Sequence, residues 1–193
     1  MELQDTSPSP SESLQVIETF ISRTKQNLKT KSFDLLLWGV LVSLAALSHY
    51  LLLTIFKYEN AWLPWPVLMI GGSIITTVYH VSNRKKQKIK TFTDTFLMWL
   101  SICFGFAYFV IAFLCVRQTI SPLPFMLAHT SVLILVTGAV LKFKPLIAGG
   151  ILFITGAIIA TFLEQQNQLL LTTAIVICGY LVPGILLRKE KNV

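Results

Sequence analysis

The stretch Arg84-Lys85-Lys86-Gln87-Lys88-Ile89-Lys90 decides how this chain is organised, because it places five cations in seven residues between two long apolar runs. The positive-inside rule puts such a cluster on the cytoplasmic side of a membrane. Once that side is fixed, so is the direction in which each neighbouring apolar segment crosses. The stretch therefore predicts both a membrane protein and its orientation.

The composition supports this class. The chain has 193 residues, of which 54% are hydrophobic and 13% are charged. A soluble domain carries about 25% charged residues because its surface must be hydrated, so we expect this chain to have the lipid bilayer as its solvent. The net charge is +7, and the cations that produce it lie between apolar segments rather than along one helix face. We interpret these cations as topology signals and predict no nucleic-acid partner.

Six apolar segments follow one another from residue 35 onward. Segments of 19 to 22 residues extend roughly 28 to 33 Å as helices, which matches the hydrocarbon thickness of a bilayer. The backbone must satisfy its own hydrogen bonds in lipid, so the predicted fold is all-α, a polytopic bundle of six transmembrane helices. Pro183 and Gly184 predict a kink in the sixth. The segments are residues 35–56, 61–81, 95–116, 120–141, 145–163 and 169–187.

A short amphipathic helix is predicted ahead of the bundle. Residues 1–10 are rich in Ser and Pro and predict a disordered tip. Ser9 is then the expected N-cap and Pro10 the first helical residue. Residues 11–31 predict a cytoplasmic helix that either lies on the anionic inner leaflet or docks a membrane or cytoplasmic protein partner. Its apolar residues recur at helical spacing: Leu14, Ile17, Phe20, Ile21 and Leu28.

The distribution of cations among the loops predicts that both termini are cytoplasmic. Fourteen of the 16 Lys and Arg residues lie in the N-terminal segment, the second and fourth loops, and the basic tail of residues 188–193. The opposite side carries only Lys57 and Arg117. This asymmetry is the one that the positive-inside rule describes.

Two histidines lie deep in the predicted spans, His49 in the first and His129 in the fourth. One interpretation is a neutral imidazole that is hydrogen-bonded to a neighbouring helix. The other is an intramembrane polar centre for a permeant or a protonation switch. The sequence shows no nucleophile with a base, no phosphate loop and no zinc spacing. We therefore predict no enzymatic activity, no cofactor and no metal site.

Two glycine pairs predict faces for close helix packing. Gly71 and Gly72 lie in the second segment, and Gly149 and Gly150 lie 78 residues later in the fifth. The two histidines are similarly 80 residues apart. Because three helices per half would cross the membrane in opposite directions, these offsets lead to the hypothesis of a three-plus-three inverted repeat.

Four stretches resemble an uncharacterised family of small bacterial six-span integral membrane proteins with a short cytoplasmic N-terminal helix. They are FDLLLWG (33–39), WPVLM (65–69), KTFTD (90–94) and KFKPLI (142–147). The resemblance implies the bacterial inner (plasma) membrane and supplies no activity or site residues. Our leading interpretation is a non-enzymatic accessory or regulatory membrane protein, and the alternative is a small transporter or channel. The sequence leaves the oligomeric state open.

Overall fold

The computed structural model describes residues 10–84 and 92–189, which form six helices and no strand. The all-helical prediction is confirmed, and the bounds of α2 to α6 lie within four residues of the predicted segments. Residues 1–9 of the predicted tip, 85–91 of the cation-rich loop and 190–193 of the tail lie outside the described residues. The helices are α1 (Pro10–Thr54), α2 (Pro64–Arg84), α3 (Phe92–Arg117), α4 (Leu123–Val140), α5 (Lys144–Ala160) and α6 (Gln165–Lys189).

The first helix differs from the prediction, because α1 runs without interruption through the expected junction near residue 32. The sequence predicted a separate helix over residues 11–31 and a span over residues 35–56. No Gly or Pro occurs between residues 11 and 38, so nothing interrupts the backbone hydrogen bonds where the polarity changes. The 45 residues of α1 extend about 67 Å at 1.5 Å per residue. We refer to residues 10–31 as the arm.

Four helical stretches are long and apolar enough to cross a membrane, and they make this chain a membrane protein. The fifth helix is apolar but has only 17 residues. The second is long enough, but its prolines and its polar residues, among them His80, lower its mean hydropathy. The four stretches are Ser32–Thr54, Thr95–Arg117, Leu123–Val140 and Gln165–Lys189.

The helices fall into an inner and an outer group. α1 packs against α6, α6 packs against α5, and α4 packs against both α5 and α6. In the part of the chain that the structure describes, α2 has α1 as its only helical neighbour, and α3 has only α4. We call α1, α4, α5 and α6 the inner helices, and α2 and α3 the outer helices.

The sixth helix is irregular close to the predicted kink. It contains a π-helical turn at Ile177–Leu181, in which the Val182 N–H donates to the carbonyl of Ile177. Pro183 has no N–H for the carbonyl four residues earlier, that of Gly179, so the regular α-helical pattern cannot continue through this point. The irregularity therefore takes the form of a π-helical turn just before the proline.

Two helices end on a residue in the left-handed conformation. After α4, Lys142 has φ 52°, and the Phe143 N–H donates to the Gly138 carbonyl at 2.9 Å. After α3, Thr119 has φ 56°, and the following N–H closes the same kind of loop. These are Schellman ends, which usually use glycine at this position. Thr119 is β-branched, so its positive φ is strained.

Candidate functional sites

Two consecutive residues of α1 contact the outer helix α2 where the arm meets the apolar part of α1. The ring of Phe33 stacks on that of Tyr79 with centroids 3.8 Å apart. His80 Nε2 donates to Asp34 Oδ1 at 2.9 Å, and both side chains are partly exposed. This end of α1 is therefore fixed to α2 by an aromatic stack and a charge-assisted hydrogen bond.

The residue before them contacts a different helix. Ser32 is 1% exposed, and its Oγ donates to the Gly184 carbonyl of α6 at 2.9 Å. Successive residues of a helix point about 100° apart, so the three positions 32, 33 and 34 reach two neighbours. We call these three residues and their partners on α2 and α6 the collar. The collar fixes the direction in which the arm leaves the bundle.

His49 lies at the opposite end of the α1–α2 contact. It is 9% exposed, and its Nδ1 accepts a hydrogen bond of 3.0 Å from the indole N–H of Trp65 on α2. An accepting Nδ1 carries no proton, so this geometry describes a neutral imidazole. The arrangement agrees with the first of the two interpretations, a histidine bonded to a neighbouring helix.

His129 makes the corresponding contact between α3 and α4. Its Nε2 donates to the Phe104 carbonyl at 3.2 Å, and its ring stacks on the Phe104 ring with centroids 4.2 Å apart. The ring of Tyr108 meets the imidazole edge-on at 4.9 Å. The Tyr108 hydroxyl is also bonded to that of Thr130. A half-buried polar and aromatic cluster thus holds α3 on α4.

The structure does not bring the two histidines together. They lie on α1 and α4, whose backbones do not approach each other closely within the described ranges 10–84 and 92–189. Each imidazole uses a ring nitrogen for its own neighbouring helix. The intramembrane polar centre for a permeant therefore stays a prediction. The histidines act as helix-pair contacts.

The second glycine pair lies where inner helices approach most closely. A Cβ on Gly149 would collide with the carbonyl oxygen of Gly179 on α6, and one on Gly150 would lie 3.1 Å from the Leu135 backbone nitrogen of α4. Two backbones can approach this closely only where side chains are absent. Pro183 cannot donate to the Gly179 carbonyl, and the oxygen of that carbonyl lies against α5 at Gly149.

The first glycine pair is different. A Cβ on Gly72 would meet the side chains of Leu41 and Trp38 on α1, whereas one on Gly71 would have no atom within 4 Å. The neighbours differ too, because α2 packs on one helix and α5 on two, as far as the described residues extend. Equivalent halves would have equivalent contacts, so this difference counts against the inverted repeat.

Gln168, which was not predicted as a site residue, lies in the first turn of α6 and is 6% exposed. Its Nε2 donates to the carbonyls of Ala160 at 3.0 Å and Leu163 at 2.9 Å, and its Oε1 accepts from Ser121 Oγ at 2.5 Å. The last carbonyls of a helix have no partner within it, and this amide supplies one for α5. The available signal was an amide directly before the sixth apolar segment.

The chain matches no protein-family model, no curated protein and no solved structure. The resemblance to a bacterial six-span family therefore stays a prediction. Among the described side chains, no three His, Cys, Asp or Glu residues come together as metal ligands would. The candidate sites are hydrogen bonds and ring contacts that hold neighbouring helices together.

Proposed function

We propose that this chain is a six-span protein of the bacterial inner membrane with both termini in the cytoplasm. We further propose that it acts, without catalysis, as an accessory or regulatory protein that presents its arm to a partner. The observation that carries the proposal is the continuity of α1 from the arm through the collar. The four-stretch resemblance supports the choice of the bacterial inner membrane.

The distribution of Lys and Arg residues supports six membrane crossings rather than four. If only the four long apolar helices crossed, the stretch 84–90 would lie on the opposite side from the N-terminal cations. With α2 and α5 crossing as well, 14 of the 16 Lys and Arg residues share one side, as the positive-inside rule requires. The 17 residues of α5 extend about 26 Å, which local thinning of the bilayer accommodates.

The collar supports a role for the arm. Ser32 and Asp34 attach the base of the arm to α6 and α2, so a force on the arm acts on two helices of the bundle. A helix that only rested on the leaflet would not require this attachment. Because His49 and His129 are both engaged by neighbouring helices, the bundle itself offers contacts rather than reacting groups.

Cysteine labelling tests the six-span arrangement. In a background with Cys103, Cys115 and Cys178 replaced by Ala, Glu59→Cys and Lys142→Cys are compared in intact cells with a membrane-impermeant maleimide. Six spans predict that Glu59→Cys is labelled from outside and Lys142→Cys only after permeabilisation. External labelling of Lys142→Cys would match four crossings and contradict the proposal.

A helix break tests the role of the arm. Thr30→Pro interrupts the arm one turn before the collar, whereas Ser11→Pro lies in the first helical turn, where proline is tolerated. Affinity purification in mild detergent from the native cell, followed by mass spectrometry, should yield a near-stoichiometric protein partner with the unaltered chain and with Ser11→Pro. Thr30→Pro and deletion of residues 1–31 should both lose it. A partner retained by Thr30→Pro, or no partner at all, would refute the arm's role.

A further inference from the structure

The three histidines of the chain, all in its described part, hold their neighbouring helices in two different ways. His80 Nε2 donates to a carboxylate oxygen of Asp34, and His129 Nε2 donates to a backbone carbonyl oxygen. The indole N–H of Trp65 can only donate, so His49 Nδ1 must accept the hydrogen bond of 3.0 Å that joins the two side chains. The contact of His49 therefore requires a ring nitrogen without a proton.

Acid has opposite consequences for these two kinds of contact. Protonation of a histidine adds an N–H to the ring nitrogen that lacks one. At His49 the added proton would occupy Nδ1 and face the indole N–H of Trp65, so the hydrogen bond would be lost. At His80 and His129 the nitrogen that donates in the neutral ring still donates in the charged ring. A histidine in water takes up its proton at about pH 6.5, so mild acid distinguishes His49 from the other two.

The surroundings of His49 offer little to compensate a positive charge. The helices packed against α1 are α2 and α6, and α4 reaches it through Leu123 and Ala46. No Asp, Glu, Lys or Arg occurs in residues 35–54, 64–79, 123–141 or 165–187. An imidazolium in such a place is costly unless the site opens to water. The other titratable side chains in these ranges are Tyr50, Tyr79, His129, Cys178 and Tyr180. The charged side chains at this end of the bundle are all exposed: Lys57, Glu59, Arg117 and Glu164.

The outer helix α2 is joined to α1 near both of its ends. Trp65 is the second residue of α2, and His80 of the collar lies 15 residues later, about 22 Å along the helix. Between them α1 meets Gly72 through apolar side chains, and apolar burial alone does not drive helices together in lipid. Loss of the Trp65 contact therefore allows the start of α2 to move away while the collar keeps its other end attached.

We propose that His49 is a proton-binding site that controls this movement, in which uptake of one proton at Nδ1 releases the start of α2 from α1. His49 lies five residues before the end of α1, about 7.5 Å along the helix, so the proton comes from the side of the membrane next to Lys57. The cytoplasmic amino terminus proposed above puts this side outside the cell, whether four helices cross or six. Because α2 carries His80 of the collar, external acid would then act on the base of the arm, a consequence that rests on the proposed function.

Thiol labelling of the purified full-length protein in mild detergent tests the release. In a background with the native cysteines replaced by Ala, Ala61→Cys places a thiol in the turn before α2, where Ala61 is 3% exposed. Glu59→Cys, at an exposed position of the same turn, is its control. Acid lowers the thiolate fraction of every cysteine, so the ratio of the two maleimide labelling rates is measured.

We expect the ratio of the Ala61→Cys rate to the Glu59→Cys rate to rise roughly tenfold between about pH 7.5 and about pH 5. The reason is that each pH unit below about 6.5 favours the protonated, open form by up to about tenfold. A ratio that stays constant over this range would overturn the proposal.

Two variants identify the histidine. His49→Asn keeps an acceptor oxygen close to the position of Nδ1 but takes up no proton, so the ratio should stay low at both pH values. His80→Gln keeps a donor for Asp34 and should leave the rise of the ratio unchanged. A rise that survives His49→Asn, or a rise that His80→Gln abolishes, would assign the effect to another group and overturn the proposal.

Nuclear magnetic resonance keeps the test decisive if His49→Asn fails to hold α2. In the unaltered protein labelled with nitrogen-15, the indole N–H signal of Trp65 is identified by its loss in Trp65→Phe. This signal should shift on acidification in step with the ring signals of His49, which are absent from His49→Asn. An indole signal that stays unchanged while His49 takes up its proton would contradict the proposal, as would a His49 ring that stays neutral at about pH 5.

These outcomes are separate from those that test the proposed function. The labelling ratio in detergent depends neither on the orientation in the membrane nor on a partner of the arm. If Glu59→Cys in intact cells is not labelled from outside, the side from which the proton comes is wrong even though the ratio rises. If the ratio is constant, the proton-binding site is wrong whatever the partner experiment shows.

Discussion

The inner and outer helices of this protein are joined in different ways. The inner helices meet backbone to backbone, as Gly149 does with Gly179, or as Gly138 does with Ile147, whose nitrogen would lie 3.0 Å from an added Cβ. The outer helices are joined by side chains, α2 through Trp65 and His49 and α3 through His129. Lipid is as apolar as a leucine side chain, so burial alone does not drive helices together. The inner group relies mainly on close packing, to which Ser32 and Gln168 add hydrogen bonds, and the outer group relies mainly on hydrogen bonding and ring contacts.

The two ways of joining differ in strength. Only 6% of the most apolar 18-residue stretch of α3 is buried within the protein, compared with 39% of the corresponding stretch of α6. A helix with a single line of contacts can separate while the rest of the bundle stays intact. We therefore expect α3 to open before the inner helices, and we expect variants in the two groups to differ in magnitude.

The largest effect is expected from adding one methyl group to the inner glycine pair. Gly149→Ala should lower the free energy of unfolding by about 3 kcal/mol, since the obstructing atom is a backbone oxygen that cannot rotate away. Gly71→Ala is the matched control, with open space around it. It should be neutral or should stabilise by up to about 1 kcal/mol, because alanine favours a helix. Titration with SDS, followed by circular dichroism, measures both, and equal losses would remove the distinction between the pairs.

A smaller loss is expected at the amide that ends α5. Gln168→Leu keeps the approximate size of the side chain but leaves the carbonyls of Ala160 and Leu163 without this donor. The expected cost is about 2 kcal/mol in the same titration. Gln166→Leu, at an exposed position of the same turn, is the control. If both variants lose the same stability, the hydrogen bonds of Gln168 to the end of α5 do not contribute specifically.

The end of the outer helix α3 offers a gain in stability. Thr119→Gly should raise the free energy of unfolding by about 1 kcal/mol, because glycine adopts the positive φ of this position without strain. Thr119 is exposed, so little contact is lost. Gln118→Gly, one residue earlier, should instead be neutral or destabilising. A loss on Thr119→Gly would show that the left-handed end is not strained.

The smallest effect is expected at His129, the histidine of α4 that holds the outer helix α3. His129→Leu removes one interhelical hydrogen bond, and such bonds contribute about 0.6 kcal/mol on average in membrane proteins. His129→Gln retains a donor for the Phe104 carbonyl and should recover part of the loss. A change of several kcal/mol would contradict a role in packing alone. Loss of a measured solute flux with stability intact would favour the transport alternative.

The positions of the helices could be predicted because an apolar run of fixed length has few other structures available in lipid. The continuity of α1 could not, since the change from polar to apolar residues near Ser32 looked like a boundary although no helix breaker is present. The prediction that the histidines bond to neighbouring helices agrees with the structure. Their partners, Trp65 and Phe104, lie 16 and 25 residues away along the chain, and only the packing of the helices identifies them.

The glycine pairs show the same limit. Their sequences predicted close packing equally for both, yet Gly149 faces a backbone and Gly71 faces open space. Whether both glycines of a pair are closely packed depends on how many neighbours the helix has, and this is a property of the assembled bundle. Gln168 was missed for the same reason, because its role depends on where α5 ends. The local pattern of apolar residues predicts where a helix lies. The partner of a given side chain depends on which helices pack together in the folded protein.

The most direct test of the difference between the two groups is thiol labelling at increasing SDS. Cys115 on α3 is buried and reports the opening of an outer helix, after Cys103 and Cys178 are replaced by Ala. Ala157→Cys in a background without native cysteines reports the opening of α5, where Ala157 is 5% exposed. With a small membrane-permeant maleimide, we expect Cys115 to be labelled at a lower SDS fraction than Ala157→Cys. Labelling of both at one SDS fraction, or of Ala157→Cys first, would contradict the separation into inner and outer helices.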